Sequence, residues 1–315
     1  MAHVEPTDLV PAAIIDIGTN TMNMLARTED GTTERFVRMP RLGMDVERTK
    51  RLSEEAMQRC YAVADEYREL LERMGVERRV VVATSASRDG TNRDEFFEGI
   101  TARLGASPRL IDGAEEAMLS FVGATSDLDA AAGPFLMVDI GGGSTEFAVG
   151  GAEVDQSISV DIGAVRLTET FFGTDPIRPD DLAGCLAVVG VHLDDVLRTC
   201  PAIADAKTFV GVAGTVTTAA AVEIGLAEYD FDKLHGFELS KVAAEDVFRT
   251  LATETIAQRL DNPGMYPGRE GVIVGGLCVL ISVMRRYGFD TCRVSERNLL
   301  DGAMAVYIDR QTGVV

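Results

Sequence analysis

The sequence Val138-Asp139-Ile140-Gly141-Gly142-Gly143-Ser144-Thr145-Glu146-Phe147 sets an acid, three glycines and two hydroxyls between two apolar runs. That pattern predicts a strand, a tight turn and a second strand. Adjacent glycines let backbone N–H groups converge on an anion with no Cβ in the way, which is what a phosphate needs from a loop. Asp139 and Glu146 flank the turn and offer the oxygen ligands of a hard cation. A plain hairpin turn fits one such run equally well. A second copy changes the weighing: Ile14-Ile15-Asp16-Ile17-Gly18-Thr19-Asn20-Thr21 repeats the order of apolar strand, Asp, one residue, Gly, then hydroxyl and amide side chains. The two aspartates lie 123 positions apart, about one domain length. Matched loops at that spacing predict a duplicated unit that grips a polyphosphorylated ligand between its copies.

At 315 residues the chain is long enough for two domains, and 46% hydrophobic with 25% charged residues describes an ordinary globular protein. A net charge of -20 argues against binding nucleic acid or an anionic membrane surface. The cations are unevenly spread: 16 against 21 acids in the first 115 residues, and 14 against 29 in the rest. Arg35, Arg38, Arg41, Arg48, Lys50 and Arg51 crowd one N-terminal stretch, which fits a solvated surface as well as a steering patch. Five widely spaced cysteines without a CxxC pair read as buried thiols of a reducing cytoplasm. The first ten residues lack the basic and apolar pattern of a signal peptide. The apolar run 271–284 suits a buried helix rather than a membrane span.

Read in order, strands are expected at 12–16, 23–27 and 33–38, with Asp30-Gly31 as a hairpin turn. A helix capped by Ser53 should run to 74 and stop at Gly75, followed by a strand at 79–83, a helix to 104 and a strand at 109–111. The helix opened by Asp112-Gly113-Ala114-Glu115-Glu116-Ala117 should set Met118, Leu119, Phe121 and Val122 on one side and Glu116, Ser120 and Gly123 on the other. Glu116 is then the acid placed to face a cleft and Glu115 the weaker candidate, although two acids at the positive end of a helix need no further role. Residues 126–133 form a small polar connection, so the expected domains are 1–125 and 126–297, with a C-terminal helix over 298–315 packed back on the first. The second domain repeats the three-strand start at 135–140, 145–149 and 153–160. Helices at 164–172 and 179–198, a strand at 208–212, helices at 241–251, 253–260 and 269–287, and a strand at 292–294 complete it. The Gly214-Thr215 step fits an anion site or a plain helix cap. No HExxH or G-x-S-x-G motif points to zinc or to a serine nucleophile.

With both Asp-x-Gly loops, the Glu115-Glu116 segment, Thr84-Ser85-Ala86-Ser87-Arg88 and Gly211-Val212-Ala213-Gly214-Thr215, the chain resembles the exopolyphosphatase and guanosine-pentaphosphate phosphohydrolase family. That family belongs to the superfamily of actin, sugar kinases and heat-shock chaperone ATPases. The resemblance implies an α/β fold of two duplicated ribonuclease H-like (actin-like ATPase) domains with a cleft between them. It implies Glu116 as the catalytic carboxylate and Mg2+ near Asp139 and Glu146, with Asp16 as a further candidate ligand. Thr19, Asn20, Thr21, Gly141, Gly142, Gly143, Ser144 and Thr145 are the implied phosphate-binding residues, and Arg88 the implied phosphate-touching arginine. The implied substrate is inorganic polyphosphate or a phosphorylated guanosine nucleotide, and the implied assembly a homodimer. Chemistry agrees: phosphoryl release needs a water aimed in line and charge stabilisation on the equatorial oxygens, with no covalent step.

Two positions depart from the family pattern. Asn23 stands where many relatives carry a base, and Asn298-Leu299-Leu300-Asp301-Gly302 where they resemble Gly-Leu-Arg-Glu-Gly. Fewer cations and the length of a short form favour short polyphosphates. Hydrolysis of guanosine pentaphosphate, a sensor that binds without turnover, and an ATP-dependent sugar kinase or actin-like ATPase are the competing readings.

Overall fold

The computed structural model describes residues 9–310. The chain divides into two compact units, one running up to Gly123 and resuming at Leu299, the other spanning residues 124–298.

In the first unit, β1 (Ala12–Ile17), β2 (Met22–Arg27) and β3 (Thr33–Arg38) form an antiparallel meander. β4 (Arg79–Ala83) and β5 (Arg109–Leu110) add in parallel, giving the order β3-β2-β1-β4-β5. A central strand buried on both faces should be apolar throughout, and β1 is apolar save for Asp16. Ala13, Ile15 and Ile17 enter a cluster with Met22, Tyr67 and Phe96, whereas Ala12 and Ile14 join Leu25, Val82, Leu119, Leu300 and Ile308. The helix Glu54–Met74 begins where Ser53 accepts from the Ala56 N–H and ends at left-handed Gly75, both as expected from its caps.

The second unit repeats this plan. β6 (Phe135–Ile140), β7 (Thr145–Gly150) and β8 (Val154–Val160) form the meander, and β9 (Thr208–Val212) and β11 (Thr291–Val294) extend it in parallel. β10 (Glu238–Ser240) adds an antiparallel edge that the sequence did not announce, giving β10-β11-β9-β6-β7-β8. Without β10 the two orders coincide. The match holds to the residue: Asp16 pairs with Asn23 and lies beside Val82, as Asp139 pairs with Glu146 and lies beside Val212. The chain is therefore an α/β protein of two ribonuclease H-like, actin-like units.

Several boundaries differ from expectation. The helix expected over 253–260 is the single turn Ile256–Arg259, closed by a capping box between Thr255 and Gln258. The apolar helix expected from 269 starts at Ile273, because Gly264 and Gly268 take left-handed φ values of 88° and 97° in the turns before it. No helix among the described residues is long and apolar enough to cross a membrane. All five cysteines are free and buried.

The C-terminal segment is a short α-helix, Leu299–Ala303, that widens into a π-helical turn over Met304–Asp309. It packs on the sheet of the first unit. Asp309 accepts a forked pair of bonds from Arg27, at 2.6 and 3.2 Å, inside the fold. Leu300, where the family resemblance implies a base, is buried in one apolar cluster with Ala12, Ile14 and Leu119. A cation at that position would have no place in this core, so the departure belongs to packing.

Candidate active site

The first loop leaves β1 at Ile17 and closes with Gly18 N–H donating to Thr21 O at 2.9 Å. Asn23, opposite Asp16, donates its amide to Asp16 Oδ2 at 3.2 Å and to Thr21 Oγ1 at 3.1 Å. Asn23 thus steadies the loop from within. Thr19 and Asn20 are both buried, and Thr19 Oγ1 has no hydrogen-bond partner among the described residues. Buried hydroxyls seldom stay unsatisfied, and a phosphate oxygen is the acceptor a loop of this form would bring to it.

β4 ends beside this loop, with Thr84 N–H donating to Ile17 O at 3.2 Å, and the chain turns into the short helix Ser85–Asp89. That helix carries Arg88. Its Nη1 donates to Glu116 Oε2 at 2.7 Å and to Ile111 O at 3.1 Å. Glu116 sits in the first turn of the helix Gly113–Thr125 and is 8% exposed. The arginine and the helix's positive end both favour the carboxylate form.

Glu115 goes elsewhere. Its Oε1 accepts from Arg109 Nη2 at 2.6 Å and from the Tyr307 hydroxyl at 2.7 Å, while Arg109 lies over the Tyr307 ring. Burial first, and Glu115 second, push the Tyr307 phenol up. The adjacent acids therefore have separate tasks: one ties the helix to the C-terminal segment, the other meets Arg88.

In the second unit Asp139 and Glu146 face each other across β6 and β7, 9% and 1% exposed. Glu146 Oε1 accepts from Ser159 Oγ at 2.7 Å. Between them the glycine turn has its carbonyls tied down. Gly141 O accepts from Ala164 N–H at 2.9 Å, Gly142 O from Val165 and Arg166 N–H at 2.8 and 3.2 Å, and Gly143 O from Arg166 Nε at 2.8 Å. With the carbonyls spent on the helix Ala164–Phe171 and the Gly141 N–H donated to Ser144 O at 3.1 Å, what the turn can offer a ligand is the N–H side of Gly142 and Gly143, the side an anion wants. Gly163 makes this possible, since a Cβ there would collide with Gly142 O. Thr145 is fully buried and donates its hydroxyl hydrogen to Ile162 O at 2.6 Å, so it holds the turn's shape.

Arg166 was not among the residues singled out from the sequence. Its side chain is 14% exposed, burial holds its pKa below the usual arginine value against the opposing pull of Glu169, and it braces Gly143. One signal was available. A cation in the first turn of a helix opposes the helix dipole and calls for a reason. A third loop behaves similarly: Ala213 takes a left-handed φ of 65°, and the guanidinium of Arg269 lies where a Cβ on Gly214 would be.

Among the described residues no three acids, histidines or cysteines come together as a protein-only metal cage. Magnesium does not need one, because it keeps several waters and takes one or two carboxylates plus substrate phosphate. Asp139 and Glu146, paired in register and both buried, fit that requirement.

A model of the Ppx/GppA phosphatase family matches residues 20–310. Exopolyphosphatase 2 of Mycobacterium tuberculosis is 41% identical over 314 residues, covering 93% of this chain and 97% of that protein. The crystal structure of an exopolyphosphatase-like protein, 37% identical, superposes with a TM-score of 0.92 over 96% of this chain and 100% of the other. The PPX-GPPA enzyme of Aquifex aeolicus, 30% identical, gives 0.77 over 94% and 98%.

Proposed function

The chain belongs to the Ppx/GppA phosphatase family, and from that membership we propose that it is an exopolyphosphatase, releasing terminal orthophosphate from inorganic polyphosphate by hydrolysis. The observation that carries the reading is the half-buried pairing of Arg88 with Glu116 beside the first glycine loop. Glu116 orients a water and takes its proton. The water oxygen bonds to the terminal phosphorus as the bridging P–O bond breaks, and the shortened chain leaves as an oxyanion. Arg88 fixes the carboxylate and lies within reach of the phosphoryl oxygens. The Thr19 hydroxyl and the N–H groups of Gly142 and Gly143 hold phosphates. Mg2+, held by Asp139 and Glu146 with Asp16 as a further candidate, supplies charge neutralisation on the phosphates when bound. We propose a homodimer working in the cytoplasm.

Guanosine pentaphosphate 5'-phosphohydrolysis by the same residues is the second reading, favoured by the family alone. Initial rates of phosphate release on tripolyphosphate, long-chain polyphosphate and guanosine pentaphosphate separate the two. The expected order puts both polyphosphates ahead of the nucleotide; a faster nucleotide reaction overturns the assignment.

Arg166 provides a check on the second loop. Arg166→Met is expected to lower kcat/KM for phosphate release by roughly 10-fold, the scale of one charge-assisted hydrogen bond, with partial recovery in Arg166→Lys. Unchanged kinetics in the methionine variant would mean that the brace on Gly143 does nothing for the reaction.

A further inference from the structure

Residues 41–52 run from the first glycine loop to the turn behind Arg88, and both ends are pinned. At one end Arg41 N–H donates to Asn20 O at 3.1 Å and Gly43 N–H to Thr19 O at 2.8 Å. A Cβ on Gly43 would collide with the Thr19 methyl, so the segment lies directly on the loop. At the other end Lys50 O accepts from Thr91 N–H and Thr91 Oγ1, both at 2.9 Å, and the Asn92 amide pairs with Leu52 N–H and O at 2.9 and 3.0 Å. Leu42, Val46 and Leu52 are buried beneath it, while Arg48, Lys50 and Arg51 face solvent.

Two features of this strap bear on a ligand. Arg41, Asp45 and Lys50 all hold left-handed backbones, with φ of 55°, 59° and 52°. Asp45 and Lys50 cap the single helical turn Val46–Thr49, whereas Arg41 lies outside it, and such backbones gather at ligand sites. In a chain of net charge -20, the strap also carries Arg41, Arg48, Lys50 and Arg51 against only Asp45 and Glu47. The ion pairs of Arg48 with Asp45 and of Lys50 with Glu47 are solvent-exposed neighbours on one turn, the kind that exchange readily for a better anion.

We infer that residues 41–52 form a second anion subsite, which grips phosphates of a polyphosphate chain beyond the one being released. Its cations sit on the rim that joins the Thr19-Asn20 loop to the Arg88 turn, so a chain whose end lies at Arg88 and Glu116 passes over them. The inference rests on the polyphosphatase reading and adds a chain-length preference to it.

The test uses the full chain and measures kcat/KM on tripolyphosphate and on long-chain polyphosphate. Arg41→Gly and Lys50→Gly are informative together, because glycine suits both left-handed positions and removes charge without adding strain. In the double variant the ratio of long-chain to tripolyphosphate kcat/KM is expected to fall about tenfold, while the melting temperature holds or rises. Arg48→Gln with Arg51→Gln, both fully on the surface, should move the ratio the same way and flatten the salt dependence of KM on the long chain. An unchanged ratio in an active enzyme overturns the subsite alone. A parent protein that cleaves neither polyphosphate overturns the polyphosphatase reading, and the subsite with it.

Discussion

Glu116→Gln is expected to slow phosphate release by roughly 10²- to 10⁴-fold, the usual contribution of a general base, while the protein stays folded. Glutamine fills the same volume, and its carbonyl oxygen can still accept from Arg88 Nη1, so the hydrogen bond seen at 2.7 Å has a neutral replacement. What disappears is the only group on that side chain able to take a proton from water. The neighbouring acid supplies the control. Glu115→Gln loosens the contacts with Arg109 and Tyr307 that tie the helix Gly113–Thr125 to the C-terminal segment, so its effect belongs in the melting temperature. Single-turnover phosphate release and thermal melting on both variants separate the two tasks. A Glu116→Gln enzyme with parental turnover would remove the base from the mechanism. A Glu115→Gln enzyme that loses turnover more than stability would reverse the roles of the pair.

The two glycine loops were legible because each follows an apolar strand and shares one grammar, and the registers of Asp16 with Asn23 and Asp139 with Glu146 show why the grammar repeats. Periodicity also set Glu116 and the fully buried Ser120 on one face of their helix. What periodicity cannot report is which distant group meets that face. The helix Ser85–Asp89 is only five residues long, and its entry is fixed by Thr84 N–H bonding to Ile17 O, a contact between strands far apart in the chain. Its consequence, Arg88 against Glu116, could be reached from the sequence only through family resemblance. Thr145 misleads for the opposite reason. Its hydroxyl reads as a phosphate ligand in the run Ser144-Thr145, yet in the fold it points back to Ile162 O. Leu300 shows a third limit: it looked like a lost cation in the site, and its place is in an apolar cluster.

The second unit leads to the other large effect. In β1 and β2 the half-buried acid Asp16 stands opposite the Asn23 amide, which donates to its Oδ2. The equivalent positions of β6 and β7 hold two acids, Asp139 and Glu146, directly opposite each other. Like charges across a strand pair are destabilising, and more so when buried, so this pairing carries a cost that the proposed Mg2+ would offset. Asp139→Asn converts the second unit's pair into a carboxylate facing an amide, as in the first. Without Mg2+ the variant is therefore expected to melt at or above the parental temperature. With Mg2+ the parent should gain stability, on the order of 2.7 kcal/mol at a hundredfold excess over Kd, and the variant should gain little. Phosphate release by the variant should fall roughly 10²- to 10³-fold, the scale of losing a preorganised electrostatic group from the transition state. Melting curves across a Mg2+ titration read the first effect without reference to catalysis. A variant that keeps the parent's full response to Mg2+ would show that the ion is not held by Asp139, whatever happens to its activity.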